Sequence, residues 1–330
     1  MGNLEAIDNK TSSNTKLNLP LPDLAAYRSS FQKKGVTYPV PVVPSAKGGL
    51  LKLLPAPPDG KTGWPWTEES SPAIYGDNAT WPKLTIVTPS YNQGLFLEQT
   101  IRSVLLQNYP NLEYIVIDGG STDNSKDIIE KYSPWLSYRQ SEKDKGQSHA
   151  INLGFSLASG NYMAWINSDD YYLQDVFWLV ARGFIARKVD FIYGYAYNFH
   201  VKTARFELLK VNPLLDYFIR IPALPQPSCF WAARIHQPVN EALQCSLDYE
   251  LWLRIVKGNT RLLIKQPLSV ANVHEDAKTS SPKLDAAREK DHQLICSEDG
   301  HGPVYDWDKK MLLYRAYNRI INILNKISLK

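Results

Sequence analysis

Cysteine is scarce in this 330-residue chain. Its three thiols, Cys229, Cys245 and Cys296, show no paired short spacing, which leaves a disulfide framework and a zinc ribbon unsupported and fits a reducing compartment. An excess of one charge is also lacking. Against 33 Asp and Glu stand 37 Lys and Arg, and a net +4 is too small to mark a nucleic-acid binder. No stretch reaches the ~18 uninterrupted apolar residues of a membrane span. Residues 1–18 hold no apolar core of the length a secretory signal needs, and Ala6 stands where a myristoylation signal wants Ser or Thr. Neither a Gly-x-Gly-x-x-Gly fingerprint nor a P-loop occurs, which disfavours dinucleotide cofactors and ATP-hydrolysis machinery.

What is present is a globular balance, 44% hydrophobic and 21% charged, in a length that suits one large domain or two modest ones. Residues 1–82 are rich in Pro and Gly and show no sustained period, so an extended arm is expected. The Trp64-Pro65-Trp66 cluster predicts that this arm packs on the domain that follows. From residue 84 the pattern alternates. Strands are expected at 84–88, 114–117, 162–166 and 191–193, and helices at 96–106, after 122–123, at 148–157 and at 175–186. Strands joined by helical crossovers imply an α/β fold, with a mostly parallel central sheet and helices on both faces. Ligands of such sheets bind at the carboxyl ends of the strands.

Beyond Gly194 the spacing predicts a hairpin over 196–211, strands at 228–232, 262–265 and 270–274, and helices at 249–256 and through the 280s. Four regions are therefore expected: an arm at 1–82, a first half at 83–195, a second half at 196–280 that completes the site, and carboxyl-terminal helices at 281–330.

Several residues at strand ends could carry chemistry. Asp118 follows a strand and precedes two glycines and Ser121; it either accepts hydrogen bonds from a base or ribose or closes an Asx turn. Asn167, Ser168, Asp169 and Asp170 follow the next strand. Adjacent carboxylates are costly without a cation or donors, and hard oxygen ligands suit Mg2+ or Mn2+. Acids on successive residues point apart, so one metal ligand is expected of the two. Asp248 begins a helix, either as a general base or as a residue favoured there by the helix dipole. His274 follows a strand, as a ligand of metal or diphosphate or as a structural residue.

The runs Thr85-Ile86-Val87-Thr88-Pro89-Ser90-Tyr91-Asn92-Gln93, Asp118-Gly119-Gly120-Ser121-Thr122-Asp123, Asp144-Lys145-Gly146-Gln147-Ser148, Asn167-Ser168-Asp169-Asp170, Gln226-Pro227-Ser228 and Asp248-Tyr249-Glu250-Leu251-Trp252-Leu253-Arg254 occur in this order. Together they resemble a family-2 inverting glycosyltransferase of the GT-A fold, over residues 83–279. The resemblance implies that Thr88, Pro89 and Tyr91 line the nucleotide pocket and that Asp118 bonds the base, uracil in most members. It places Lys145, Gln147, Asn167 and Ser168 on the nucleotide-sugar. Asp169 and His274 are the implied Mn2+ or Mg2+ ligands, and Asp248 the catalytic base. Asp170, Glu250, Trp252 and Arg254, which complete these motifs, are expected around the acceptor. Two departures stand out: Asn167 replaces the first acid of the Asp-x-Asp motif, and Gly119 interrupts the usual Asp-Asp-Gly-Ser pair.

The implied reaction moves a sugar from a nucleotide-sugar, most often a UDP-sugar, to a saccharide or lipid-linked acceptor in polysaccharide, lipopolysaccharide or glycolipid synthesis. An inactive nucleotide- or carbohydrate-binding module of the same fold is the alternative, and a sugar-phosphate nucleotidyltransferase is disfavoured because its Gly-rich loop is absent. The tail holds six basic residues, Lys309, Lys310, Arg315, Arg319, Lys326 and Lys330, and no acid after Asp308, so the rest of the chain nets −2. Leu313, Tyr317, Ile320, Leu324 and Ile327 repeat at helical spacing between them. A basic amphipathic helix over 309–330 suits an anionic membrane surface, its own domain or a dimer seam. The expected setting is cytoplasmic, with peripheral contact on the inner face of the membrane if the first of these holds.

Overall fold

The computed structural model describes residues 21–76, 80–211, 224–256, 258–275, 277–278 and 281–297, together with 312–313, 315–317 and 319–320. Most of the basic tail, including Lys309, Lys310, Lys326, Lys330, Leu324 and Ile327, lies outside the described residues, as does part of the loop expected before Gln226.

The first half is built as its pattern requires. Strands β1 (Leu84–Ser90) and β2 (Leu112–Asp118) are buried at every position. That is the signature of parallel strands covered on both faces. They run parallel to each other, and to β4 (Tyr162–Trp165) and β3 (Tyr138–Ser141), with Ser90 opposite Asp118 and Asp118 opposite Ser141. Helices α2 (Leu97–Leu105), α3 (Ser125–Lys131) and α4 (Gln147–Leu157) make the crossovers. α4 approaches β1 so closely at Gly154 that a Cβ there would stand 2.4 Å from a Val87 methyl. After α4 and β4 come the short β5 (Tyr171–Tyr172) and α5 (Val176–Arg187).

The second half extends the same sheet with mixed directions. Its strands are β6 (Phe191–His200), β7 (Arg205–Leu209), β8 (Cys229–Ala232) and β9 (Arg261–Val273), and the order across the sheet is β3-β2-β1-β4-β8-β6-β9-β5, with β7 paired to β6. β8 lies antiparallel to both β4 and β6, whereas β6 and β9 run parallel. Thus the sheet is parallel where the alternation was regular and mixed beyond it. The two strands expected at 262–265 and 270–274 are one, because register shifts beside Tyr195 absorb Lys265 and Gln266 while pairing continues. Helices α6 (Leu247–Ile255) and α7 (Asp285–Cys296) complete the described core.

The amino-terminal segment corrects one expectation. Residues 24–33 form a helix, α1 (Leu24–Lys33), capped by Asp23, whose carboxylate accepts from the Ala25 N–H at 2.8 Å. Tyr27 and Arg28 tie it to Glu241 and to the Ser156 carbonyl. The remainder runs over the domain and buries Val40, Val43, Leu50, Leu54 and Trp66. The Trp64 indole N–H donates to the Tyr172 carbonyl at 2.7 Å. Arg102 is the anchor: its fully buried guanidinium on α2 donates to the carbonyls of Pro55, Pro65 and Trp66 and to the Tyr132 hydroxyl. A buried charge is tolerable only when its donors are used in this way.

Arg102→Leu keeps the volume and the helix but leaves three carbonyls without donors, and is expected to cost about 3 kcal/mol. Urea unfolding of the two proteins measures this, and an unchanged midpoint would show that the strap is held by apolar packing alone.

Candidate active site

The carboxyl ends of β1, β2 and β4 share one edge of the sheet because the three strands are parallel and in register. Chain leaving this edge carries most of the residues singled out from the sequence. At the β2 end Asp118 is fully buried. One of its oxygens accepts from the Gly120 and Ser121 N–H groups and from the Ser141 hydroxyl, the other from the Ser121 hydroxyl. This is an Asx-type closure, and Gly120 permits it by adopting φ +82°. The β1 exit is clasped to it: the Asn92 side-chain oxygen accepts from the Thr122 N–H, and Asp123 accepts from the Gly94 N–H.

Asp144 reaches over this turn from the loop after β3. A Cβ at Gly119 would stand 3.0 Å from its carboxylate, so the glycine that departs from the family pattern makes room for this neighbour. Burial pushes the Asp144 carboxyl up and the charge of Asp118 adds to the effect, while the Gly146 N–H, His149 and Lys278 oppose it.

At the β4 end the two acids part as expected. Asp170 turns inward, accepting from the Asn272 N–H at 3.1 Å and from the Asn167 amide at 3.3 Å. Burial, and then the charge of Asp169, raise its carboxyl well above the usual range. Asp169 turns the other way, with an oxygen 3.1 Å from His274 Nε2. The His274 ring is stacked on Phe96 at 4.8 Å. Asn167 is a junction: its oxygen accepts from Gln147 at the start of α4, and its amide also meets the Gln226 side-chain oxygen at 3.3 Å. Gln226 in turn donates to the Trp165 carbonyl at 2.9 Å.

Asp248 arrives at this edge from the second half. β8 runs antiparallel to β4, so its first residue, Cys229, lies level with the end of β4. Burial and then the charge of Asp248 push the Cys229 thiol up, and the Ser148 hydroxyl at the start of α4 donates at 3.3 Å to the carbonyl of Leu243, in the segment that leads into α6. Asp248 itself is half-buried at the amino end of α6. Burial raises its carboxyl above the ordinary value, against the hydrogen bonds it accepts from the Tyr249 N–H and its own. Burial lowers the Lys278 ammonium, and the charges of Cys245, Asp291, Asp144 and Asp169 oppose it. Asp118 and Asp169 leave the carboxyl ends of β2 and β4 at one edge of the sheet, and Asp248 begins α6 after β8, which runs back along β4.

Several expected contacts are not available as side chains. Thr88 is fully buried and shares a hydrogen bond with the Tyr114 hydroxyl at 3.1 Å, and Pro89 and Ser168 are buried beside it in the strand exits. Tyr91, 61% exposed, and Lys145 do stand in the open. Glu250, Trp252 and Arg254, expected around an acceptor, have buried side chains on α6. Glu250 and Arg254 make a buried ion pair at 2.7 Å, with Arg254 also donating to Gln237 and the Pro238 carbonyl, and Trp252 stacks on Trp165 at 5.5 Å. Glu250 and Arg254, at i and i+4, are held by their ion pair and Trp252, on another face of the helix, by its stack on Trp165, so an acceptor role is withdrawn for all three. Asp170, tied to Asn272, likewise holds the β4 exit to β9 instead of facing an acceptor.

Four neighbours of the site escaped the sequence reading: Asn272, whose side chain donates to the Asp169 carbonyl at 2.5 Å, Lys278, Arg288 and Asp291. Asn272 lies at the end of β9, two residues before His274, a spacing that was open to notice. The other three belong to no motif.

Residues 85–236 match the model of "Glycosyl transferase family 2". Among curated relatives, glycosyltransferase GlyA of Streptococcus pneumoniae is 32% identical over 127 residues, covering 38% of this chain and 18% of its own length. The Escherichia coli protein WfgD, named as a UDP-Glc:alpha-D-GlcNAc-diphosphoundecaprenol beta-1,3-glucosyltransferase, is 25% identical over 188 residues, covering 53% of this chain and 70% of its own. Of solved structures, S. aureus TarS 1-349 in complex with UDP-GlcNAc superposes with a TM-score of 0.54 at 19% identity, covering 66% of each chain, which is a likeness of fold. The chain thus spans about a fifth of GlyA, and under half of the S. pneumoniae glycosyltransferase GlyG. The family match thus lies across β1 to β8, within residues 85–236, and the fold is that of the GT-A glycosyltransferases.

Proposed function

We propose that this glycosyltransferase inverts: it transfers a sugar from a nucleotide-sugar, a UDP-sugar first among the candidates, to an acceptor hydroxyl in one displacement, with Asp248 as general base. The observation that carries the reading is the arrival of Asp248, its carboxyl raised by burial, at the same sheet edge as the Asp169–His274 pair. A raised carboxyl is a stronger base than an ordinary one. The acceptor hydroxyl acidifies as the new bond forms, so proton transfer to Asp248 late in the step is feasible.

A divalent cation fits the donors present. Two neighbouring ligands of an octahedral ion at ~2.1 Å stand about 3 Å apart, and the Asp169 oxygen and His274 Nε2 stand 3.1 Å apart. No group of three His, Cys, Asp or Glu side chains is found among the described residues, so diphosphate oxygens and water would complete the shell. When bound, Mn2+ or Mg2+ would supply positive charge against the departing diphosphate. Gln147 and Asn167, joined at 2.8 Å, would meet the donor sugar, and the exposed Lys145 and Tyr91 would meet the nucleotide. Asp118 acts on the base indirectly, by shaping the turn that receives it, since both its oxygens are already used.

Membrane-surface work is supported by the lipid-diphosphate acceptor in the WfgD name, which suggests a saccharide or lipid-linked acceptor here as well. Among the described residues no helix is long and apolar enough to cross a membrane. A cytoplasmic place at the inner face, reached through residues 309–330, belongs to this proposal. The four-part division of the chain does too, with the acceptor received by the second half. An inactive nucleotide-binding module remains the competing reading because Asn167 replaces an acid; binding of donors without transfer would identify it.

A thermal-shift panel of UDP-, GDP-, TDP- and CMP-sugars with Mn2+ should select one nucleotide, and transfer is then followed with that donor. Asp248→Asn is expected to keep donor affinity and to lose at least ~100-fold in kcat; near-wild-type turnover removes Asp248 from the mechanism. Because its carboxyl is raised, the unprotonated base accumulates only as pH climbs past the ordinary carboxylate value of about 4. The acid limb of the kcat profile should therefore lie above that value, and a limb at or below it contradicts the assignment. Asp169→Ala should abolish the extra stabilisation that Mn2+ gives in the presence of UDP, whereas an undiminished melting shift would place the cation elsewhere.

A further inference from the structure

The loop that presents Asp248 is held by a helix that no motif includes. α6 begins at Leu247 with Ser246 as its N-cap, and the Ser246 side chain makes no capping bond. Instead, the carboxylate of Asp291 on α7 accepts from three successive backbone N–H groups, those of Gln244 at 3.0 Å, Cys245 at 2.7 Å and Ser246 at 2.9 Å. Asp291 is 2% exposed, so these bonds form away from competing water. Charge-assisted bonds from consecutive amides to one anion fix backbone direction more firmly than a single neutral bond. The anion also lies by the amino end of α6, where the helix dipole favours negative charge.

One turn earlier on α7, Arg288 grips the segment on the other side of the crevice. Its guanidinium donates to the Lys278 carbonyl at 2.7 Å and to the Ser281 carbonyl at 3.1 Å. The Lys278 ammonium returns to the Gln244 carbonyl at 3.2 Å. The Gln244 residue is therefore held at its N–H by α7 and at its C=O by the loop that follows His274. Residues three apart on a helix share a face, so Arg288 and Asp291 act as two arms of one clamp.

We propose that Asp291 is a positioning residue for the transfer step: by holding the 244–246 backbone it sets where Asp248 meets the acceptor hydroxyl, with Arg288 holding the 278–281 segment against the same point. This rests on Asp248 being the base. A displacement of about 1 Å in a reacting group can cost ~100-fold in rate without weakening donor binding. Loss of Asp291 should then strike kcat and spare the donor KM, because the donor-binding residues Gln147, Asn167 and Asp169 are held by other bonds.

The test uses the full chain and compares Asp291→Ala, Asp291→Asn and, as a control of equal location, Ile295→Val. Ile295 is 1% exposed on the same helix and makes none of these bonds, so its trimming loosens α7 while leaving the carboxylate in place. Asp291→Ala is expected to lower kcat at least ~10-fold at unchanged donor KM. Asp291→Asn, which keeps an acceptor oxygen, should recover part of the loss, and Ile295→Val should keep wild-type kcat at a temperature where all are folded. Hydrogen exchange at amides 244–246 should quicken in Asp291→Ala and not in Ile295→Val. An unchanged kcat in Asp291→Ala, or an equal fall in Ile295→Val, overturns the positioning role while leaving the transferase intact. Full activity in Asp248→Asn instead overturns the base on which the role depends.

Discussion

Polar bonds from Gln226, Asn272 and His274 join the second half of this chain to the strand exits of the first. The Gln226 amide donates to the Trp165 carbonyl at the last residue of β4, and immediately afterwards the chain enters β8 antiparallel to that strand. Had β8 entered parallel, Cys229 would lie at the opposite end of the sheet, and Asp248 with it. Because it runs back along β4, the start of β8 comes level with the strand exits that carry Asn167 and Asp169. The same Gln226 side chain meets Asn167 with its oxygen, so one residue of the second half both ends β4 and closes on the first half's polar loop.

The crevice gathers more acid than it can hold ionised in apolar surroundings, and the fold resolves this by sorting the carboxylates. Asp118 is consumed by its own turn and by Ser141. Asp170 is buried against the Asn272 N–H, with its carboxyl pushed up. Asp291 is spent on three amides. Asp169, 3.1 Å from His274 Nε2, and Asp248 at the start of α6 are the carboxylates on which the proposed function rests. Lys278 is the cation that this arrangement draws in, and the charges of Asp144, Asp169 and Asp291 all pull its ammonium upward against the burial that lowers it. Asn167 fits the same logic: an amide in place of an acid can donate to Asp170 and accept from Gln147 at once, which a carboxylate beside Asp169 and Asp170 would do only at electrostatic cost.

Reading the sequence reached the alternation of strands and helices over 84–193 because parallel strands buried on both faces are continuous apolar runs. It missed β3, whose Tyr138-Arg139-Gln140-Ser141 is polar and only half-covered at the sheet edge, and it missed α1, set among prolines and held chiefly by contacts with distant residues. The split of β9 into two strands came from Lys265-Gln266-Pro267, which breaks the apolar pattern while the pairing with β6 passes through a bulge. Glu250, Trp252 and Arg254 were assigned outward because charge and aromatic rings in a motif look like ligand contacts; an ion pair and a stack of tryptophans inside a core look the same in one dimension.

The linear order of residues determined the family resemblance, the parallel half of the sheet and the short polar segments at its strand ends, because these depend on local period and on contiguous motifs. Which oxygen of which acid faces a ligand was decided only in three dimensions. Burial, the hydrogen bonds already accepted and the charge of neighbours far off in the chain set that choice, and none of the three is a property of a segment by itself. The same holds for Asp291, which gains its place only because α7 folds back, 45 positions beyond Ser246, to meet the amides before α6.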